Sequence, residues 1–243
     1  MWLELENVRV GRRRGERAAV LEDVSLGLAR GELVGILGPS GSGKTALLHV
    51  LGGLVRPDAG RYALDGVRVD RLSDAELARL RGRRIGMLFA RSLLVPELSA
   101  LENVEVPLAY QRVAGAERRA RAAAILGELG LGAHLRRRPR QLSPGERRRV
   151  ALARALVVEP ELVLADDPAR GLDARAGDEI LDLLASRSAL GAAVVVASED
   201  PLRARCARRL VRLCEGRVQP ELCGGPRLAG RSTAGRGLRR ARR

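Results

Sequence analysis

Gly38-Pro39-Ser40-Gly41-Ser42-Gly43-Lys44-Thr45 decides how this chain is read. The stretch runs glycine, four variable positions, glycine, lysine and threonine, which is the spacing of a loop that wraps phosphate. It follows the apolar run Leu33-Val34-Gly35-Ile36-Leu37 and precedes Ala46-Leu47-Leu48-His49-Val50-Leu51, a strand–loop–helix setting. Small residues let backbone N–H groups turn inward on phosphate oxygens, and the helix that opens there adds the positive end of its dipole. Lys44 is placed to reach the β- and γ-phosphates of a nucleotide, and Thr45 to offer a hydroxyl to Mg²⁺. Lys44 is also the one lysine among 44 basic side chains. An arginine, broader and flatter, would not fill the same point-charge role. The competing reading is a glycine-rich turn that merely caps a structural helix.

The 243 residues, 46% of them apolar, suffice for one α/β domain with a small inserted subdomain. With aromatics at 2%, the core falls to Leu, Val and Ala. A net charge of +15 raises nucleic acid as a partner, but the arginines are spread along the whole chain in the manner of a coding bias. No specific nucleic-acid role is expected, and attraction to an anionic membrane surface or an acidic partner fits better. No apolar segment reaches the ~18–20 residues that span a bilayer. Met1 to Val10 alternates Leu3, Leu5, Val8 and Val10 with polar residues and has no signal-peptide core. A membrane role therefore calls for a separate spanning partner. Cys206, Cys214 and Cys223 lack metal-ligand pairing and His49 and His134 are isolated, so the cysteines read as free thiols of a reducing cytoplasm. Residues 223–243 carry seven arginines and no acid, and are expected to form a disordered, solvated tail.

Along the chain, Tyr62-Ala63-Leu64 with Val67 and Val69 suggests a hairpin around Asp65-Gly66. Ser73-Asp74-Ala75-Glu76 predicts a capping box opening a helix towards Arg81, and Arg84 to Phe89 a strand. From about 97 to 140 the pattern turns helical, with Arg121, Ala122, Ile125, Leu126 and Leu129 at helical intervals. Strand signal returns at Val157, at Leu162 to Ala165 and at Ala192 to Ala197, the pattern of a largely parallel sheet with helical crossovers.

Leu162-Val163-Leu164-Ala165 ends in Asp166-Asp167. An apolar strand delivering an acid at its carboxyl end is the expected partner of the phosphate loop, with Asp166 holding Mg²⁺ through water. Taken alone, the pair could also cap a turn. In Leu142-Ser143-Pro144-Gly145-Glu146, Ser143 can cap a helix, Pro144 suits its first position and Glu146 closes the box. The same helix end can receive phosphate from outside. Local physics leaves both roles open.

Order and spacing together resemble the ATP-binding cassette family, the nucleotide-binding subunits of ABC transporters, over about residues 2–222. Gly38 to Thr45 match its Walker A motif, Leu162 to Asp166 its Walker B strand, Leu142 to Glu146 its signature and Leu172-Asp173 its D-loop. Leu93 to Pro96, Leu101-Glu102-Asn103-Val104, Pro107-Leu108 and Arg154-Ala155-Leu156 are similar to the lipoprotein-release, macrolide-export and cell-division branch. The resemblance implies a P-loop nucleoside triphosphate hydrolase core with peripheral antiparallel strands and a helical subdomain inserted at about 90–158. It implies a head-to-tail dimer with ATP between the Walker A loop of one cassette and Ser143 and Gly145 of the other. A transmembrane permease would meet the helical section, with the cassette on the inner face of the cell membrane.

Departures from the family pattern fall on chemical positions. The family's glutamine after the strand ending at Phe89 is Ala90 here. Its catalytic glutamate is Asp167, which keeps a carboxylate but loses a methylene of reach. Its histidine after Ser198 is Glu199, and its signature glycine is Pro144, which has no N–H. No aromatic stands near 10–14 to stack on adenine, where Arg12 is a substitute. The reading that follows is a Mg²⁺-dependent ATPase subunit with slow hydrolysis, Asp167 as a weakened base and Lys44 as the phosphate cation. The alternative is a catalytically silent nucleotide-binding subunit of a heterodimer.

Overall fold

The computed structural model describes residues 1–11, 20–204 and 206–219. Arg12, Cys223 and the arginine-rich segment at 223–243 lie outside them.

Short apolar runs covered on both faces build the central sheet. β3 (Leu33–Leu37), β7 (Leu162–Asp166) and β8 (Ala193–Ser198) are buried at every position, as parallel strands between two helical layers must be. With β6 (Ile85–Leu88), β9 (Arg209–Cys214) and β10 (Arg217–Gln219) they make six strands in the order β10-β9-β3-β8-β7-β6. All ladders are parallel except β10 on β9.

Strand periodicity divides β7 between two cores. Leu162 and Leu164 pack with Leu47, Leu48 and Leu51 of α1 (Lys44–Leu51). Val163 and Ala165 pack on the other face, in the cluster built by α3 (Ala100–Tyr110), α4 (Gly115–Glu128), α5 (Pro144–Leu156) and α6 (Ala174–Ala189). The α1 core is closed by a four-stranded antiparallel sheet ordered β2-β1-β4-β5. Its strands are β1 (Leu3–Val10), β2 (Leu21–Leu28), β4 (Ala59–Leu64) and β5 (Val67–Arg68). Tyr62, one of the few aromatics, is buried there and donates its hydroxyl to the Leu51 carbonyl at 2.7 Å, tying β4 to the end of α1.

The capping box at Ser73 and Glu76 opens α2 (Asp74–Arg84). Three local readings are corrected. The buried Val69 opens a 3₁₀ turn instead of extending the hairpin, because the chain bends back so that Asp70 can accept from the Tyr62 N–H at 3.1 Å. Arg84 ends α2 and does not begin the strand; it leans on Glu161 at 2.7 Å. Val157 caps the C-terminus of α5, its N–H on the Ala153 carbonyl at 2.9 Å, so its apolar side chain fills the helical core and no strand forms. The section between β6 and β7 is helical as expected, and it joins two neighbours in one parallel ladder.

Candidate nucleotide site

Backbone geometry fixes the loop between β3 and α1. Gly41 and Gly43 have φ of 78° and 103°, a region side chains disfavour. A Cβ on Gly38 would stand 2.2 Å from the Leu213 carbonyl oxygen and 2.5 Å from Ser42 Oγ. Glycine at 38 is thus a condition of loop closure, as well as a way of exposing N–H groups. Gly43 is the N-cap of α1 and gives it no side-chain cap, which leaves the first N–H groups facing the loop. Lys44 is 8% exposed and curls back, its Nζ donating to the carbonyls of Gly38 at 2.8 Å and Pro39 at 2.7 Å. Ser42 Oγ is buried with no hydrogen-bond partner among the described residues. A folded-back ammonium and an orphan hydroxyl suit a loop made to close on an anion.

Thr45 Oγ1 donates to Asp166 Oδ2 at 2.8 Å across the gap between α1 and β7. This pair supplies the hard oxygen donors that Mg²⁺ takes. Both line a cavity of about 970 Å³ with Lys44, Ser40, Gly41, Gly43, Ala90, Asp167, Arg170 and Glu199. Its far end is walled by Val20, Glu22 and Glu215 to Arg217. Pro39 and Ser42 belong to the loop that frames this cavity.

Asp167 is held in the left-handed region, φ 43°, uncommon for a residue with a side chain. Its N–H donates to the Ala197 carbonyl at 2.8 Å, and its own carbonyl accepts from Arg148 Nη2 at 2.8 Å and the Arg170 N–H at 3.0 Å. Burial pushes its carboxyl above the ordinary aspartate range, Arg203 and Arg170 pull it back down, and Asp166 adds to the rise. A protonated carboxyl cannot accept a proton. If Asp167 is the base, the rate rises as pH climbs through its elevated pKa. The acid limb of kcat/KM against pH is therefore expected above the range of an ordinary aspartate; a flat profile across that range would remove Asp167 from the role.

Arg148, on the signature helix α5, was not singled out by sequence. It is 3% exposed and bonds only to backbone carbonyls: Nε to Pro168 at 2.9 Å, Nη2 to Asp166 and Asp167 at 2.9 and 2.8 Å, Nη1 to Ala90 at 3.1 Å and to Phe89. One guanidinium thus gathers the ends of β6 and β7. Burial draws its pKa down to about 10, against the pull of Asp167 and Asp166, which leaves it charged at neutral pH. Arg154, further along α5, holds the carbonyls of Ser92 and Leu93 at 2.9 and 2.7 Å. The signal that could have marked Arg148 is its helical phase with the buried Ala151, Leu152 and Ala155.

Ser143, Pro144 and Gly145 do not line the cavity. Ser143 Oγ accepts from the Glu146 N–H at 3.2 Å, and Glu146 Oε2 accepts from the Ser143 N–H at 2.6 Å. Pro144 occupies the first helical position, where no intrahelical donor is needed. With Pro144 lacking an N–H and Glu146 engaged, the Gly145 N–H is the donor this end keeps for an outside acceptor. Asp173 caps α6 by accepting from the Ala176 N–H at 2.9 Å.

A phosphate loop facing a strand-end carboxylate, at the carboxyl edge of a parallel sheet, defines a P-loop nucleotide-binding α/β protein. Residues 21–170 match the ABC transporter family, and the chain belongs to it. It is 39% identical over 223 residues to the uncharacterized ABC transporter ATP-binding protein YknY of Bacillus subtilis, covering 91% of this chain and 97% of that one. It is 46% identical over 199 residues to the macrolide export ATP-binding/permease protein MacB 1/2 of Paracoccus denitrificans, covering 82% of this chain. The chain spans only 30% of that relative's length, and 33% of the MacB of Burkholderia pseudomallei. Among solved structures, it resembles the dimeric ATP-binding cassette MJ0796 in a post-hydrolysis state bound to ADP and Pi, with TM-score 0.84 and 38% identity over 90% of this chain and 97% of that one. Among the described residues, no helix is long and apolar enough to cross a membrane.

Proposed function

We propose that this chain is the ATP-binding, slowly hydrolysing subunit that powers or gates an ABC transport complex. The observation that carries the reading is the convergence of Lys44, Thr45, Asp166 and Asp167 on one cavity. Gly38 to Thr45 wrap the phosphates, with Lys44 turning from the Gly38 and Pro39 carbonyls to the β- and γ-phosphates. Mg²⁺, held by Thr45 and by Asp166 through water, offsets phosphate charge when bound. Asp167 accepts a proton from the attacking water. Ser143 and the Gly145 N–H face the γ-phosphate bound in a second cassette, an arrangement supported by the dimeric relative. The helical section at about 90–158 meets a transmembrane permease on the inner face of the cell membrane, with exposed Leu93 and Val95 at its near edge.

Attenuation follows from three residues of the same cavity. Ala90 offers no polar side chain, Asp167 is one methylene short, and Glu199 places a carboxylate where a donor is wanted. Those residues also favour the second reading, a silent nucleotide-binding partner in a heterodimer. Equilibrium ATP binding and steady-state phosphate release, measured together on the purified chain with Mg²⁺, decide between them. Binding with slow release supports an attenuated ATPase, and binding with none supports the silent subunit. No binding sinks both. Asp167→Glu restores the missing reach; since a misplacement of ~1 Å can cost ~10²-fold, its turnover is expected to rise by about that factor. A variant no faster than wild type would move the deficit to Ala90 or Glu199.

A further inference from the structure

Arg170 is one of the residues lining the cavity, and its side chain is bonded into no part of the described fold. It closes the turn Asp167-Pro168-Ala169-Arg170 with its N–H on the Asp167 carbonyl at 3.0 Å, and its side chain is exposed. Arg170 lines the cavity with Lys44, Asp167 and Glu199, yet its side chain makes no hydrogen bond or ion pair with any described residue. Arg203 makes the contrast. Close enough for its charge to act on Asp167 as well, Arg203 is committed elsewhere, bonded to the Ala169 carbonyl and paired with Asp200 at 3.5 Å. Glu199 likewise has no described hydrogen-bond or ion-pair partner, so neither charge is tied by a direct bond, and Arg170 acts on Asp167 only through space.

Lys44 holds the side of the cavity at the phosphate loop, and Arg170 stands beyond the strand end that carries Asp166 and Asp167. A triphosphate laid along the loop brings its terminal group towards that strand end, where Glu199 repels it. An uncommitted guanidinium there offers a fork of donors matched to phosphate oxygens. We propose that Arg170 is the residue that binds the terminal phosphate, so that it sets the preference for a nucleoside triphosphate over a diphosphate and offsets the charge of Glu199. This rests on the nucleotide-site reading above.

The test is the dissociation constant of a non-hydrolysable ATP analogue and of ADP, each with Mg²⁺, for wild type, Arg170→Ala and Arg170→Lys. A lost charge-assisted hydrogen bond is worth about ten- to a hundredfold in affinity. Arg170→Ala is expected to weaken the analogue by at least about tenfold and leave ADP within about twofold; Arg170→Lys recovers part of the loss. Unchanged ADP binding also reports an intact fold. Equal weakening of both ligands, or of neither, in a protein whose wild type binds both overturns the role of Arg170 and leaves the nucleotide site standing. A wild type that binds neither overturns the nucleotide site, and Arg170's role with it.

Discussion

Lys44→Ala is expected to reduce phosphate release to background and to weaken ATP about 30- to 5,000-fold, the range spanned by truncating one partner of a buried, hydrogen-bonded charge pair at ~2–5 kcal/mol. The ammonium sits at the start of α1, almost fully buried, where solvent screens it little. Its two present acceptors, the carbonyls of Gly38 and Pro39, are backbone groups of the loop it serves. Binding therefore exchanges two neutral acceptors for phosphate oxygens, which bear the larger charge. Arginine at the same position is expected to rescue little, because its planar head does not fit the space between loop and phosphate. Fluorescence titration with a labelled nucleotide and a phosphate-release assay check the result together. Release by Lys44→Ala at the wild-type rate would mean that the phosphate comes from a site other than this loop.

Arg148→Ala is expected to lower the free energy of unfolding by about 3–5 kcal/mol. Each buried carbonyl left without a donor costs ~1–3 kcal/mol, and the guanidinium serves five. The full sum is not expected, since the Asp167 carbonyl keeps the Arg170 N–H and water from the adjoining cavity can reach Ala90. Arg148→Met separates the two contributions, for it keeps most of the packing of the stem and none of the donors. Urea unfolding of the two variants should give similar losses. A loss under about 1 kcal/mol in both would mean that the carbonyls pair readily with water and that Arg148 ties nothing together.

Much of the fold is legible in short stretches, because short-range chemistry specifies them. Ser73 with Glu76 and Ser143 with Glu146 announce their helices through reciprocal bonds that span three residues. Leu33 to Leu37 and Leu162 to Ala165 announce buried parallel strands by being apolar without alternation. Val157 and Val69 misled for a corresponding reason: an apolar residue near a strand looks the same whether it ends a helix, fills a turn or enters the sheet. The strand order is not written locally either, since β3 has β8 and β9 as neighbours from the far end of the chain.

For the candidate site, the phosphate loop and the strand-end acids could be named from spacing alone, as could the altered positions once the family pattern was laid over them. Arg148 and Arg170 could not. Amid so many arginines, helical phase with Ala151, Leu152 and Ala155 hints that Arg148 is buried but not what it ties, and nothing local marks Arg170. Only the fold distinguishes them, by closing carbonyls around the first and leaving the second open to the cavity.

Ala90, Asp167 and Glu199 stand just past the carboxyl ends of β6, β7 and β8, strands whose relative positions are set by backbone ladders. Their side chains do little to hold the sheet together. Such a layout lets chemistry drift while the fold stays intact: a tip residue can be exchanged with almost no penalty in folding, so selection on stability does not guard it. Ala90, Asp167 and Glu199, where departures from the family pattern are expected, hold such positions. A lineage carrying this scaffold is therefore free to lose turnover before it loses the protein, and to keep a nucleotide-responsive body for regulation after its catalysis has faded.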